Sequence, residues 1–404
     1  MVKKYLIIDF SASRYFTHHW SYVNSMANLL TAHNKSFVSI LPSYADPSTL
    51  ETLSGPRKLI LRSNIFGPER NENFRLYLLN KIVDFFMNTL RGSEFKFLLL
   101  TKKVLINFYL APAIKEIQRS LRENNSVHIV FPTVDHLALS LLLRILVEND
   151  PRVFVSAKFI HGAEKRGSLI SGLEMEEVIS ELRKNDNPRI RIGFEVEKYR
   201  NYLILLGMPM GYLYWAPDPS KVKIHRQIKS DSENIVLGFL GGAKARKGFA
   251  LIPEIITKVS NSFPNSKFIV QGTSFKWEGY DTIKSQLLAV PSDIQIYDGH
   301  ISEQLLEELI GKCDALILPY DAISYSMAAS AVVYQSANLL VPVLVSEGTG
   351  FAQECIEFGI GEIFSSAEEV ALKLRVLLSD DKSENIRTYN IKRNEVVSEF
   401  LNLN

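Results

Sequence analysis

Residues 235–249 read Ile-Val-Leu-Gly-Phe-Leu-Gly-Gly-Ala-Lys-Ala-Arg-Lys-Gly-Phe. The apolar run at the start has strand length and predicts a buried strand over 235–240. Two glycines follow, then Lys244, Arg246 and Lys247, then apolar residues at helical spacing over 249–261. Glycine lets a backbone approach an anion closely. A helix N-terminus adds free N–H groups and partial positive charge. The strand–loop–helix is therefore a candidate pyrophosphate-binding turn built on Gly241, Gly242, Lys244 and Lys247, with Arg246 facing solvent. It is neither GxxxxGK[ST] nor GxGxxG. A tight turn with a solvated basic tip is the alternative.

The same alternation extends both ways. Downstream, strands are expected at 267–271, 294–297, 315–318 and 343–345, with helices at 302–313, 330–337 and 368–378. Upstream, strands are expected at 5–10, 37–41, 127–131, 153–160, 190–194 and 213–215, with helices at 16–32, 137–147 and 174–184. Strand, helix, strand at this spacing predicts parallel sheets. Pro217-Asp218-Pro219 cannot continue a helix, and 221–233 is polar without an apolar period. The expected organisation is α/β: two Rossmann-like, doubly wound domains, 1–215 and 216–385, facing a central cleft, with 386–404 as a helix returning to the first. Ligands of open α/β sheets bind at the carboxyl ends of the strands.

The totals exclude several classes. Hydrophobic residues make up 46% and charged residues 22%, which fits a globular chain and not a disordered one. A formal net charge of +2 gives no bulk attraction for nucleic acid. Cys313 and Cys355 form no CxxC pair, so zinc-ribbon and disulfide frameworks fail and a reducing, cytoplasmic setting is expected. Asp9 cuts short the apolar run after Lys3 and Lys4, unlike a signal peptide. No stretch reaches the ~18 apolar residues of a membrane span. No HxxxH or His/carboxylate cluster argues for a metal.

The order of motifs in the second half resembles the retaining, family-4-like glycosyltransferases of the GT-B fold (glycosyl transferases group 1). Gly241, Lys244, Lys247 and Gly248 match their G-x-x-[RK]-x-x-K-G loop. Gly299-His300-Ile301-Ser302 falls at their nucleobase loop, and Asp314–Tyr320 (DALILPY) resembles their strand ending in proline. Gln335–Val343 resembles their "EAhAxGxPVh" helix and strand, followed by Glu347-Gly348-Thr349. The first half resembles them more loosely. His18, His19 and Tyr22 match a "GHHxxYxxxLAxxL" opening, and Phe159-Ile160-His161-Gly162 matches a strand end.

The resemblance implies a nucleotide-diphosphate sugar, UDP- or GDP-linked, as co-substrate, with no tightly bound cofactor. Donor contacts would come from Gly241, Gly242, Lys244, Lys247, His300, Ser330, Gln335, Glu347, Gly348 and Thr349. His18 and His19 would face the acceptor: a glycan, a lipid-linked chain or a small molecule. Asp135, His136 and His161 would supply polar groups near the sugar. Alternatively Asp135 is a helix cap, His136 a helix-start residue and His161 a buried structural histidine. His128 is expected to be structural.

The family's pair of glutamates eight apart is replaced by Met327 and Gln335. A carboxamide still offers a donor and an acceptor; Met327 offers no carboxylate. That leaves open a non-catalytic GT-B-like subunit of a glycosylation complex. A sugar epimerase of the same plan is a third reading. Region 72–112 mixes Phe, Leu and Tyr with Arg75, Lys81, Arg91, Lys96, Lys102 and Lys103. Either it docks peripherally on the inner face of the membrane, toward a lipid-linked acceptor, or it is a helical core layer with snorkelling lysines.

Overall fold

Seven apolar runs zip into one parallel sheet: β1 (Lys3–Ile8), β2 (Phe37–Pro42), β3 (Arg57–Leu61), β4 (Ser126–Phe131), β5 (Val153–Lys158), β6 (Ile190–Phe194) and β7 (Leu213–Trp215), in the order β3-β2-β1-β4-β5-β6-β7. Tyr5 pairs with Phe37 on one side and with His128 on the other. The order therefore reverses between β1 and β4. The computed structural model describes residues 3–9, 18–42, 55–61, 110–134, 136–144, 150–159, 169–184, 187–220, 234–272, 277–299 and 301–403; at 18–20, 42, 59–61, 136–138 and 169–174 it describes the backbone alone.

Six further strands make a second parallel sheet: β8 (Val236–Phe239), β9 (Lys267–Gln271), β10 (Asp293–Tyr297), β11 (Ala315–Leu318), β12 (Val343–Ser346) and β13 (Gly361–Phe364), in the order β10-β9-β8-β11-β12-β13. Its reversal lies between β8 and β11, the place where open α/β sheets bind ligands. Helix Ile252–Ser262 follows the β8 loop and buries Ile252, Ile255, Ile256 and Val259, the spacing of one helical face. Those residues join Leu237, Phe268, Val270 and Ile317 in the core of this sheet.

The chain divides into two compact units, one of residues 1–195, 200–216 and 396–404, the other of 196–199 and 217–395. In the first unit Val397, Phe400, Leu401 and Leu403 pack with Tyr5, Ile7, Met26 and Val130. In the second, the fully buried Arg393 of helix Ser383–Phe400 ties down the proline-rich connector. Its guanidinium donates to the Asp218 carbonyl at 2.9 Å through Nε, to Asn390 Oδ1 at 2.9 Å and to Asn338 Oδ1 at 3.2 Å. It also stacks over the Tyr334 and Tyr389 rings.

The strands read from the sequence at 190–194, 213–215, 267–271 and 315–318 form with those bounds. Ser302 caps the expected helix after β10, accepting from the Leu305 N–H at 3.1 Å. Helix Glu197–Leu205, helix Tyr280–Ala289 and strands β3 and β13 were not expected. Helix Tyr280–Ala289 buries only Tyr280 and Leu287, too few anchors to reveal a period. The apolar segment 72–109 lies outside the described residues; a helix over 110–123 follows it.

Replacing Arg393 with methionine keeps most of the volume but strands several buried acceptors. We expect Arg393→Met to lose about 2–4 kcal/mol of stability in urea denaturation. A loss under about 0.5 kcal/mol, the usual surface effect, would show that the fork does not hold the connector.

Candidate functional site

The β8 loop departs from a plain strand–helix turn because three glycines take left-handed angles: Gly241 (φ 123), Gly242 (φ 80) and Gly248 (φ 70). Between them Ala245–Lys247 forms one 3-10 turn; Phe249–Leu251 forms a second, and the α-helix begins only at Ile252. The helix expected from Phe249 is thus delayed, because Gly248 in the left-handed region breaks the first turn. Gly248 has a second reason to be glycine: a Cβ there would lie 1.7 Å from the Pro319 carbonyl oxygen. The Asp321 N–H donates to the Arg246 carbonyl at 3.0 Å, and the Ala243 N–H to the Gly272 carbonyl at 3.0 Å. The Trp277 indole donates to the Ala243 carbonyl at 3.0 Å. The loop is stitched to the ends of both β9 and β11.

Lys247 folds back so that Nζ donates to the Gly241 carbonyl and lies 5.2 Å from the centre of the Tyr320 ring. Burial holds its pKa below the ordinary lysine value; Arg246 pushes the same way and Tyr325 opposes. The Lys244 pKa is also lowered, chiefly by burial, then by the charges of Lys247 and Arg246. Arg246 sits over the Tyr325 ring, 5.8 Å from its centre, and is exposed. Among the described residues none of these three cations has a carboxylate partner. Cations gathered without counter-charge at a strand switch point leave a place for an anion.

One detail corrects the sequence reading. The Gly241 N–H is already used, donating to Gln271 Oε1 at 2.6 Å. Of the two glycine amides, only that of Gly242 is without a partner among the described residues. Ser330, buried, starts helix Ala331–Asn338 and makes no capping bond. Val332 of that helix reaches the space over Gly241. Gln335 stands one turn further along, partly buried, and Met327 is partly buried in the turn before the helix.

A neighbouring cleft of ≈ 620 Å³ is lined by Gly248, Leu251, Tyr320, Asp321, Glu347 and Gly348, among others. Glu347 accepts from the Ser365 hydroxyl at 2.7 Å, and the Gly348 carbonyl accepts from Lys198 Nζ at 2.9 Å. Thr349 is 1% exposed, and its hydroxyl donates to the Ser346 carbonyl at 2.9 Å, so its side chain shapes the turn and the expected ligand contact rests on its backbone amide.

Asp135, His161 and His300 lie outside the described residues, as do the side chains of His18, His19 and His136. In backbone terms His18 and His19 open helix His18–Ala32, and His136 opens helix His136–Leu142. His128 is buried, 2.8 Å from the Ser156 hydroxyl and stacked on Tyr5; burial lowers its pKa and keeps it neutral. Gln271, Trp277, Tyr320 and Tyr325 were not singled out from sequence. Tyr320 had a usable signal, since it follows Pro319 just beyond the carboxyl end of β11 at the switch point. The first unit also carries an unforeseen polar cluster. Buried Lys158, at the end of β5, pairs with Glu195 at 3.0 Å, and Tyr22 donates to the same carboxylate at 2.7 Å.

Among the described residues no group of three or more His, Cys, Asp or Glu could hold a metal ion, and no helix is long and apolar enough to cross a membrane.

Residues 220–394 match the family model of glycosyl transferases group 1. No curated protein matches the chain by sequence. Solved structures match across nearly its whole length. Anabaena HepE in complex with UDP-glucose is 12% identical, covering 99% of this chain and 96% of its own, with a TM-score of 0.54. The lipopolysaccharide outer core galactosyltransferase WaaB is 10% identical, covering 99% and 97%, with a TM-score of 0.60. The sucrose-phosphate synthase of Thermosynechococcus elongatus is 13% identical, covering 99% and 95%, with a TM-score of 0.56. The fold is therefore GT-B. The match to the glycosyl transferases group 1 model falls within the second unit.

The close approach of Gly248 to Pro319 makes the loop sensitive to one methyl group. Gly248→Ala should cost at least about 2 kcal/mol, from the left-handed angle and the carbonyl clash together. Equilibrium unfolding checks this; an unchanged midpoint would mean that the loop does not sit against β11.

Proposed function

We propose that the protein transfers a sugar from a nucleotide-diphosphate donor, UDP- or GDP-linked, to a glycan, lipid-linked or small acceptor, with retention of configuration. The second unit binds the donor and the first unit binds the acceptor. The observation that carries the reading is the set of cations on the β8 loop without a carboxylate partner among the described residues, at the switch point and beside the N-terminus of helix Ala331–Asn338. Support also comes from a structural neighbour solved with UDP-glucose.

Breaking the anomeric C–O bond leaves a diphosphate, whose growing negative charge must be stabilised. Lys247 is the foremost candidate, since an anion would relieve the cost of its burial. The Gly242 N–H and the first N–H groups of helix Ala331–Asn338 add donors that need no rearrangement. Lys244 closes the site from the more exposed side. The neutral Gln335 would bond a hydroxyl of the donor, and Met327 would meet only its apolar face. Asp135, His136 and His161 remain our candidates for the polar groups beside the transferred sugar, and His300 for contact with the base.

Thermal stability measured against UDP, GDP, ADP, dTDP and CMP, with and without Mg²⁺, tests this reading. A ligand bound only by the folded chain adds ~2.7 kcal/mol at about a hundredfold excess over Kd. We expect one diphosphate to raise the melting point and Lys247→Ala to abolish the shift without unfolding the chain. No shift with any nucleotide would defeat the proposal.

The pH dependence has a definite sign. The charged ammonium binds the anion, and burial lowers the Lys247 pKa from its ordinary 10.5. Diphosphate affinity should therefore be flat near neutrality and fall as pH rises, beginning below 10.5. Titration calorimetry over an alkaline series checks it; affinity that improves with pH would contradict the role of the lysine.

A further inference from the structure

We infer that Tyr320 is a donor-binding residue, its phenolic hydroxyl donating a hydrogen bond to a phosphate oxygen of the nucleoside diphosphate; this rests on the reading of the β8–β11 crevice as the diphosphate site. Three observations converge. The Tyr320 side chain is 4% exposed, and its hydroxyl oxygen is buried without a hydrogen-bond partner. Ser330 stands beside it but not in the geometry of a normal bond. Buried hydroxyls without partners are rare in native structures, and each calls for a reason.

The second observation is direction. The point where a Cβ on Gly241 would sit is 2.5 Å from the Tyr320 hydroxyl, 3.1 Å from Lys247 Nζ and 3.2 Å from Val332 Cγ2. A neutral O–H donor and an ammonium thus stand side by side against the backbone of Gly241, and a side chain there would displace the hydroxyl. An acceptor-rich anion satisfies both donors at once, whereas an apolar or cationic group satisfies neither.

The third is rigidity. The ring is gripped by Tyr325, with centroids 4.7 Å apart, and by Phe351 edge-on at 5.7 Å. The Lys247 ammonium lies over its face. Ring packing, not a hydrogen bond, sets where the hydroxyl points. Burial also pushes the phenol pKa up, which keeps the proton on the oxygen and the group a donor at every working pH. A donor fixed before the ligand arrives needs no reorganisation as leaving-group charge grows.

Tyr320→Phe separates this role from a structural one, because it keeps the ring, the stacking and the cation–π contact and deletes only the hydroxyl. The full-length variant and the wild type are compared by titration calorimetry with UDP, GDP and inorganic pyrophosphate, and by melting without ligand. We expect the Kd of the diphosphate that the wild type binds to rise at least about tenfold, with a similar loss for pyrophosphate. The ligand-free melting point should stay level or rise, since no internal bond is lost. An unchanged Kd with a lowered melting point would overturn the inference and make the hydroxyl structural. A loss for the nucleotide but none for pyrophosphate would overturn the phosphate assignment. A wild type that binds no diphosphate would remove the donor-site reading itself, an outcome distinct from equal binding by wild type and variant.

Discussion

The carbonyl of Pro319 pressed against the α-carbon of Gly248 is the contact on which the site depends. A sheet that reverses its strand order between β8 and β11 opens a crevice there. The width of that crevice follows from how closely the β8 loop can approach the end of β11. With 1.7 Å from a hypothetical Cβ to the carbonyl oxygen, only glycine permits this approach. The left-handed angle at Gly248 then ends one 3-10 turn and starts another. Lys247 is thereby carried back under the loop, toward Gly241 and the Tyr320 ring.

Electrostatics at this spot run against stability. Lys247 and Lys244 are partly desolvated and stand near Arg246, with lowered pKa values as the consequence. A phenolic hydroxyl is left without a partner at the same place. In a core selected only for stability, such groups would be paired or replaced by apolar ones. Their concentration in one crevice, on a framework stitched by Gln271, Trp277 and Asp321, is what the proposed transfer from a nucleotide-sugar would require: donors in place before the charge of a departing diphosphate appears.

Much of this was legible in the sequence, for identifiable reasons. The parallel strands are short apolar runs flanked by turn residues, and their alternation with helices left few alternatives. The loop proposed to hold the diphosphate was marked in the sequence by Gly241, Gly242, Lys247 and Gly248. What escaped notice depended on partners distant in sequence. Gln271 ends a strand like any other, and nothing local says that its carboxamide occupies the Gly241 N–H. Nothing local says that the Thr349 hydroxyl is tied to the Ser346 carbonyl. Tyr320 was read as the tail of a strand because its packing against Tyr325 and Phe351 is tertiary. Helix Tyr280–Ala289 escaped because two buried residues do not make a period. Lys158 and Glu195 lie 37 residues apart, and only the adjacency of β5 and β6 brings them together.

The most direct test of the account is a crystal structure of the protein with UDP or GDP, whichever it binds. The account predicts the diphosphate over Gly241 and Gly242, with phosphate oxygens within hydrogen-bond distance of Lys247 Nζ and the Tyr320 hydroxyl. A nucleotide bound elsewhere, with the space over Gly241 holding only water, would contradict it.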